Sequence, residues 1–213
     1  CNCYYCKDLR ITLNNLVVGG AGFIGYHLIK KLLNSSEHVI CIDNFSTGKR
    51  NNISEFIENN KFELVEHNIQ EIYSSHKKID RIWHLACPAS PPHYQKDPID
   101  TLKTCFLGTY NLLNLAKENK SRILLASTSE IYGEPKKHPQ AETYNGNVNP
   151  IGLRSCYDKG KRVSETLCFD FLRQHNVDIA VARIFNTYGP KMSINDGRVV
   201  SNFIVQAISN QTI

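Results

Sequence analysis

A run of glycines between two differently patterned apolar segments constrains this chain more than any other feature. Gly19-Gly20-Ala21-Gly22-Phe23-Ile24-Gly25 follows Leu16-Val17-Val18, which reads as the end of a buried strand, and leads into Ile24, Leu28, Ile29, Leu32 and Leu33 at helical spacing. Glycines at a strand-to-helix junction let the backbone turn tightly and approach a pyrophosphate. The ligand's charge then rests against free N–H groups at the positive end of the helix. Such a glycine pattern is weak evidence alone; here a strand precedes it and a helix follows.

The motif also requires an acid about 20 residues on. Asp43 fills that place, at the end of the apolar run Val39-Ile40-Cys41-Ile42 and 18 residues past Gly25. A carboxylate there accepts hydrogen bonds from a ribose diol and repels a 2′-phosphate, so the expected cofactor is NAD rather than NADP. The plainer reading of Asp43 is a loop carboxylate opening the turn that ends at Gly48.

At 213 residues the chain can bury a full core, and one domain plus part of another is the natural expectation. No apolar run approaches the roughly 20 residues that cross a bilayer, and the first residues do not resemble a secretory signal. The expectation is a soluble, cytoplasmic protein with no membrane segment. The 25 basic and 20 acidic side chains leave a formal +5, but the Lys and Arg are scattered among acids. With no basic stripe or stacking-aromatic motif, no nucleic-acid partner is expected. Cys41, Cys87, Cys105, Cys156 and Cys168 are spread through predicted strands and helices as small apolar residues would be, an intracellular pattern. Cys1, Cys3 and Cys6 have no matching His or Cys group at ligand spacing, so no metal site is expected and residues 1–10 are read as an unstructured leader.

Beyond Asp43, Phe62–Glu66, Arg81–Leu85, Arg122–Ser127 and Asp178–Arg183 read as strands. Helices are predicted over about 99–117, with Leu102, Leu107, Leu112, Leu113 and Leu115 around an apolar face, and over about 157–174. Strands alternating with helices imply an α/β fold with a doubly wound parallel sheet, covered on both faces. Ligands bind such sheets beyond the carboxyl ends of the strands, which directs the search to the segments after Val18, Ile42, Leu85, Ser127 and Arg183.

Two stretches carry chemistry, one of them at such a strand end. Tyr157 and Lys161 are four residues apart, adjacent on one helix face. At about 5 Å and an effective dielectric near 20 their attraction is roughly 3 kcal/mol, enough to lower a phenol's pKa by about two from its usual 10. Tyr157 then removes a proton from a substrate hydroxyl as hydride leaves the same carbon. The spacing is common by chance, and an amphipathic helix with a partly buried phenol explains it equally well. The balance tips on Ser127-Thr128-Ser129-Glu130, which puts hydroxyls and a carboxylate at the end of the fifth strand.

Taken together, the glycine turn, Ser127-Thr128-Ser129-Glu130-Ile131-Tyr132-Gly133, the Tyr157/Lys161 pair and Arg183-Ile184-Phe185-Asn186-Thr187-Tyr188-Gly189-Pro190 resemble the extended short-chain dehydrogenase/reductases of nucleotide-sugar metabolism. Pro88-Ala89-Ser90-Pro91-Pro92, Asn149-Pro150-Ile151-Gly152, Cys156-Tyr157-Asp158 and Asn195–Ser201 are similar to the UDP-glucuronate decarboxylases among them. The resemblance runs from about Asn15 to the last residue. It implies a Rossmann-like domain over 11–190 and, over 191–213, the start of a truncated sugar-nucleotide-binding domain.

It further implies roles. Gly19, Gly22, Phe23, Ile24, Asp43, Asn44, Phe45, Leu85, Thr104, Ala126, Tyr157, Lys161, Thr187 and Arg198 would hold NAD. Thr128, Tyr157 and Lys161 would transfer the proton, Glu130 would assist decarboxylation, and Tyr73, Lys103, Asn111 and Asn186 would contact UDP-glucuronate. The implied reaction converts UDP-glucuronate to UDP-xylose through a 4-keto intermediate. A nucleotide-sugar 4-epimerase or 4,6-dehydratase would share the same triad, and an inactive, truncated NAD-binding fragment is the alternative of another class. Relatives pair through two helices, here 99–117 and 157–174, so a homodimer is expected. Some sit in the Golgi lumen behind an anchor, the alternative compartment if an anchor is missing from this chain.

The chain departs from the family at Val18, Tyr26, Asn68, Cys87, Cys105 and Leu153, which stand in place of Thr, Ser, Asp, Ser, Asn and Pro. Tyr26 adds bulk one residue past the glycine turn. Phe203, Ile204, Ala207 and Ile208 form one apolar helix face that ends with nothing to cover it, so this polypeptide alone is expected to bind the sugar poorly.

Overall fold

The computed structural model describes residues 12–212, and the leader predicted over 1–10 lies outside them. Six strands form one parallel sheet: β1 (Asn14–Val18), β2 (His38–Asp43), β3 (Phe62–Glu66), β4 (Arg81–His84), β5 (Arg122–Thr128) and β6 (Ile179–Ile184). Their spatial order is β3-β2-β1-β4-β5-β6, so the winding reverses between β1 and β4. This is the doubly wound sheet expected from the alternation of strands and helices.

The strands are apolar on both faces because both are covered, and the period of two sorts their residues. Val17, Val39 and Cys41 point to the side of α1 (Phe23–Asn34), where they pack with Ile29, Leu32 and Phe56. Leu16, Val18, Ile40 and Ile42 point the other way and join Leu112 and Leu113 of α5 (Thr109–Asn119) and Cys168 and Phe171 of α6 (Ser155–His175). Short helices α2 (Arg50–Ile53) and α3 (Pro91–Tyr94) follow β2 and β4, and α7 (Val199–Ile208) follows β6.

The helix predicted over 99–117 is three pieces. α4 (Pro98–Lys103) runs through a π turn, Thr104–Gly108, into α5. Asp97 caps α4 by accepting from the Asp100 N–H, and Pro98 stands at its first position. The extra residue of a π turn shifts the helical register; Leu112, Leu113 and Leu115 are buried while Leu102 is exposed. Tyr26, whose bulk threatened the glycine turn, points away from it. Its ring stacks on Phe56 and its hydroxyl donates to Glu55 at 2.5 Å.

Among the described residues no helix is long and apolar enough to cross a membrane. Exposed apolar side chains gather in two places. Ile99, Leu102, Phe106, Tyr110, Val163, Phe169 and Leu172 lie along α4–α6, and Val199, Phe203, Ile204 and Ile208 lie on α7.

Candidate active site

A crevice of about 480 Å³ opens at the carboxyl ends of the strands, where the sheet's winding reverses. The glycine turn forms one side. Gly19 N–H donates to the Ile42 carbonyl at 2.7 Å, which pins the turn to β2. Gly25 must lack a side chain, since a Cβ there would lie 2.6 Å from the Gly19 carbonyl and Gly20 backbone. Gly22 differs: a Cβ would meet only the Gly19 oxygen, at 3.3 Å, and the residue lines the crevice. The space it leaves is open to a ligand. Gly22 is also the N-cap of α1 and gives no side-chain cap, so the helix presents its first N–H groups without a protein partner.

Asp43 ends β2 against this turn. One carboxylate oxygen accepts from the Ala21 N–H at 2.9 Å and the other from the Phe45 N–H at 2.8 Å. It therefore does what a turn carboxylate does and also lines the crevice. Burial pushes its pKa up, while the Phe45 and Ala21 N–H groups hold it down. The open glycine, the uncapped helix start and the acid at the end of β2 suit an adenosine ribose and pyrophosphate.

The other side comes from β5 and α6. Thr128 ends β5, and its Oγ1 accepts from the Glu130 N–H at 3.2 Å, starting the 3-10 turn Ser129–Tyr132. Tyr157 and Lys161 share the buried face of α6 and both line the crevice. The Tyr157 ring stacks on Tyr94, with centroids 5.0 Å apart and planes 4° from parallel. Lys161 Nζ donates to the Ala126 carbonyl at 2.8 Å. Burial disfavours its charge, yet the nearby Cys87, Cys105 and Tyr157 leave its pKa raised.

The phenol itself differs from expectation. Burial pushes Tyr157 up to about 12, although the Lys161 ammonium and the Thr128 hydroxyl pull it back. An estimate from the pair alone omits the desolvation of a phenolate that is only 6% exposed.

Most of the residues named from the sequence meet here. Gly19, Gly22, Phe23, Ile24, Asp43, Asn44, Leu85, Thr104, Ala126, Thr128, Glu130, Tyr157, Lys161, Asn186, Thr187 and Arg198 all line the crevice. Arg198 is held by the Asp196 carboxylate, with Nη2 at 2.8 Å. Four do not line it. Phe45 supplies its N–H to Asp43, but its ring lies under the Arg50 guanidinium, 4.1 Å away. Lys103 is exposed on α4, because neighbouring helical residues are turned about 100° apart and Thr104 takes the inward position. Asn111 donates to the Ile69 and Gln70 carbonyls at 3.0 and 3.1 Å, which ties down the loop after β3. Tyr73 packs at the edge of the core beside His67, 5.7 Å between rings. Tyr73, Lys103 and Asn111 thus lie outside the lining of the crevice.

Sequence reasoning missed Arg154, Asp158 and Tyr94. Arg154 forms an ion pair with Glu130 at the crevice. Asp158 is pushed up to about 6 by burial, with Arg154 opposing and Glu130 adding to the rise. Tyr94 closes the crevice wall with a buried hydroxyl that has no hydrogen-bond partner among the described residues. For Arg154 and Asp158, the spacings of three from Arg154 to Tyr157 and four from Arg154 to Asp158 could have suggested them; nothing local marks Tyr94.

A family model described as GDP-mannose 4,6 dehydratase matches residues 16–213. The chain is 56% identical over 208 residues to UDP-glucuronic acid decarboxylase 6 of Arabidopsis thaliana, covering 97% of this chain and 60% of that protein. It is 53% identical over 198 residues to UDP-glucuronic acid decarboxylase 1 of Xenopus tropicalis, covering 93% and 47%. The chain thus spans about 60% or less of the length of these relatives. Among solved structures, UDP-glucose 4-epimerase of Thermotoga maritima superposes with a TM-score of 0.84 at 28% identity, over 94% of this chain and 65% of that one. A dTDP-glucose 4,6-dehydratase of Streptomyces venezuelae gives 0.83 at 24%, over 94% and 64%, and shares the fold.

Proposed function

This chain belongs to the family described as GDP-mannose 4,6 dehydratase, and on that premise we propose that it is the NAD-binding part of a UDP-glucuronate decarboxylase that forms UDP-xylose. The observation that carries this reading is the meeting of Thr128, Glu130, Tyr157 and Lys161 in the same crevice as the glycine turn. Identities of 52–56% to proteins named as decarboxylases support it.

NAD, held by the glycine turn, Asp43 and the Tyr157/Lys161 side of the crevice, would supply a hydride acceptor, and later a donor, at C4 of the sugar. The rest falls to the chain. The Tyr157 oxygen would receive the proton of the 4-hydroxyl, and Lys161, buried beside it, pulls toward the phenolate that does so, against the burial that raises the phenol. The ketone formed at C4 lies beta to the sugar carboxylate, so its carbonyl accepts the electron pair as carbon dioxide leaves. Thr128 and the protonated Tyr157 donate to the developing enolate oxygen. Glu130, held by Arg154, faces the sugar. Asn186, Thr187 and Arg198 supply the far wall.

On this reading residues 11–190 are the dinucleotide domain and 191–213 the start of a sugar-binding part. The exposed face of α7 is where that part packs, and the apolar strip on α4–α6 is the homodimer contact. The protein in its natural full length, incubated with NAD and UDP-glucuronate, should yield a nucleotide sugar lighter by carbon dioxide. Loss of water would assign a dehydratase, and unchanged mass with altered chromatography an epimerase.

A further inference from the structure

Two thiols in the crevice wall take no part in this chemistry. Cys87 follows β4 and lines the crevice, Cys105 is buried in the π turn, and their sulfurs lie 3.4 Å apart. Both are free. They stand where the resembled family has Ser and Asn, so the decarboxylation reading does not require them. Cys105 is held in place: Ser164 Oγ donates to its carbonyl at 2.8 Å, and a Cβ at Gly160 would lie 2.9 Å from its sulfur. Cys87 begins the loop Cys87–Ser90, and its sulfur otherwise reaches only the Pro88 carbonyl, at 3.4 Å. Bonding distance is about an ångström and a half away, and the loop is the side free to close it.

The two sulfurs are not equivalent. Either sulfur can donate across their contact; that hydrogen bond and the nearby Lys161 ammonium hold the Cys87 thiol below its usual range against the effect of burial. Cys105, sharing that hydrogen bond in a buried place, is held well above it. A thiolate is the reactive form, and Cys87 is the one of the two that lines the crevice a peroxide would enter, so it is the sulfur that reacts first.

We propose that Cys87 and Cys105 are a reversible oxidation site, closing to a disulfide when a small peroxide enters the crevice. The Cys87 thiolate attacks one peroxide oxygen, the O–O bond breaks, and the departing hydroxide takes a proton to become water, leaving a sulfenic acid. The Cys105 sulfur then attacks the Cys87 sulfur, and its proton leaves with the sulfenic hydroxyl as a second water. Two thiols lose two electrons and two protons, and hydrogen peroxide is reduced to two waters. The new bond ties the loop after β4 to the π turn beside Thr104, both parts of the crevice wall. It therefore weakens NAD binding, a consequence that rests on the dinucleotide reading above.

The test is a peptide map of the full chain, exposed to hydrogen peroxide, alkylated and digested without reduction. The expected result is a pair of peptides joined through Cys87 and Cys105, about 2 Da below the sum of the free thiols, parted by dithiothreitol and missing from C87S and C105S. Cys87 found as sulfinic acid or joined to Cys156, with Cys105 alkylated after unfolding, would overturn the proposal. The wild-type map decides this even if a variant does not fold. Calorimetric titration with NAD then compares the cross-linked and re-reduced chains. Severalfold weaker binding after cross-linking supports the remodelled wall, and equal binding refutes it. Absence of binding in the reduced chain would instead refute the dinucleotide reading.

Discussion

The turn at residues 19–25 offers a ligand its backbone, whereas the start of α6 offers side chains taken out of water. On the glycine side, Gly19 is hydrogen-bonded to β2, the Asp43 carboxylate accepts from Ala21 and Phe45, and α1 begins without a side-chain cap. On the α6 side, a lysine at 3% exposure and a tyrosine at 6% sit beside two thiols and a histidine at 1%. Backbone dipoles in a rigid turn change little with pH, but buried ionisable groups carry energies set by desolvation. One side is a fixed mould, and the other is a set of poised charges.

Tyr157→Phe tests the second half of that contrast most severely. The ring that stacks on Tyr94 remains, so the fold should stay intact, while decarboxylation by the full-length protein should fall about 10²–10⁴-fold. Turnover within a fewfold of wild type, measured by carbon dioxide release, would remove the phenol from the reaction.

Gly25→Ala tests the mould. Its Cβ would press on the backbone of Gly19 and Gly20, and overpacking against main chain with no freedom to move should cost about 3 kcal/mol in urea unfolding. A cost below about 0.5 kcal/mol would show a pliable turn.

His84 separates the two sides by pH. Burial, with the Lys161 charge adding, lowers its pKa to about 3, against about 6.5 in the unfolded chain. The unfolded chain therefore takes up this proton first. The stability His84 contributes above about pH 6.5 is lost as the pH falls, by about 1.4 kcal/mol per pH unit. Asp158, pushed up to about 6, acts in the opposite sense over the same range. The informative quantity is thus a difference: His84→Gln should gain about 1.4 kcal/mol on wild type between pH 6 and pH 5. A constant difference would mean that His84 is not desolvated.

Tyr94→Phe should have the smallest effect. The buried hydroxyl has no hydrogen-bond partner among the described residues, so deleting it should change stability by less than about 1 kcal/mol in thermal unfolding. A larger loss would show that the hydroxyl is bonded after all, with Arg154 as the nearby charge.

How far the sequence could be read follows the same division. The strands and α6 were legible because burial on both sheet faces writes apolar runs such as Val39–Ile42, and one buried helix stripe writes a period of 3.6. The crevice was legible through the glycine turn and Asp43, since these occupy neighbouring positions in the chain or follow a strand of known direction. The π turn at Thr104–Gly108 was not. Nothing in local propensity marks it, and the single helix read across it placed Leu102 on the apolar face, where it is exposed. The sequence likewise did not show that Tyr73, Lys103 and Asn111 lie outside the crevice lining, because their orientation depends on helix register and on the loop after β3.

By itself the sequence determined the sheet, its winding, the glycine turn and the family, because each is written in spacings of a few residues. Only the tertiary structure decided the protonation of Tyr157, the pairing of Arg154 with Glu130 and the approach of Cys87 to Cys105. These depend on how much water surrounds a group and on which distant segment packs against it, and neither is a local property of the chain.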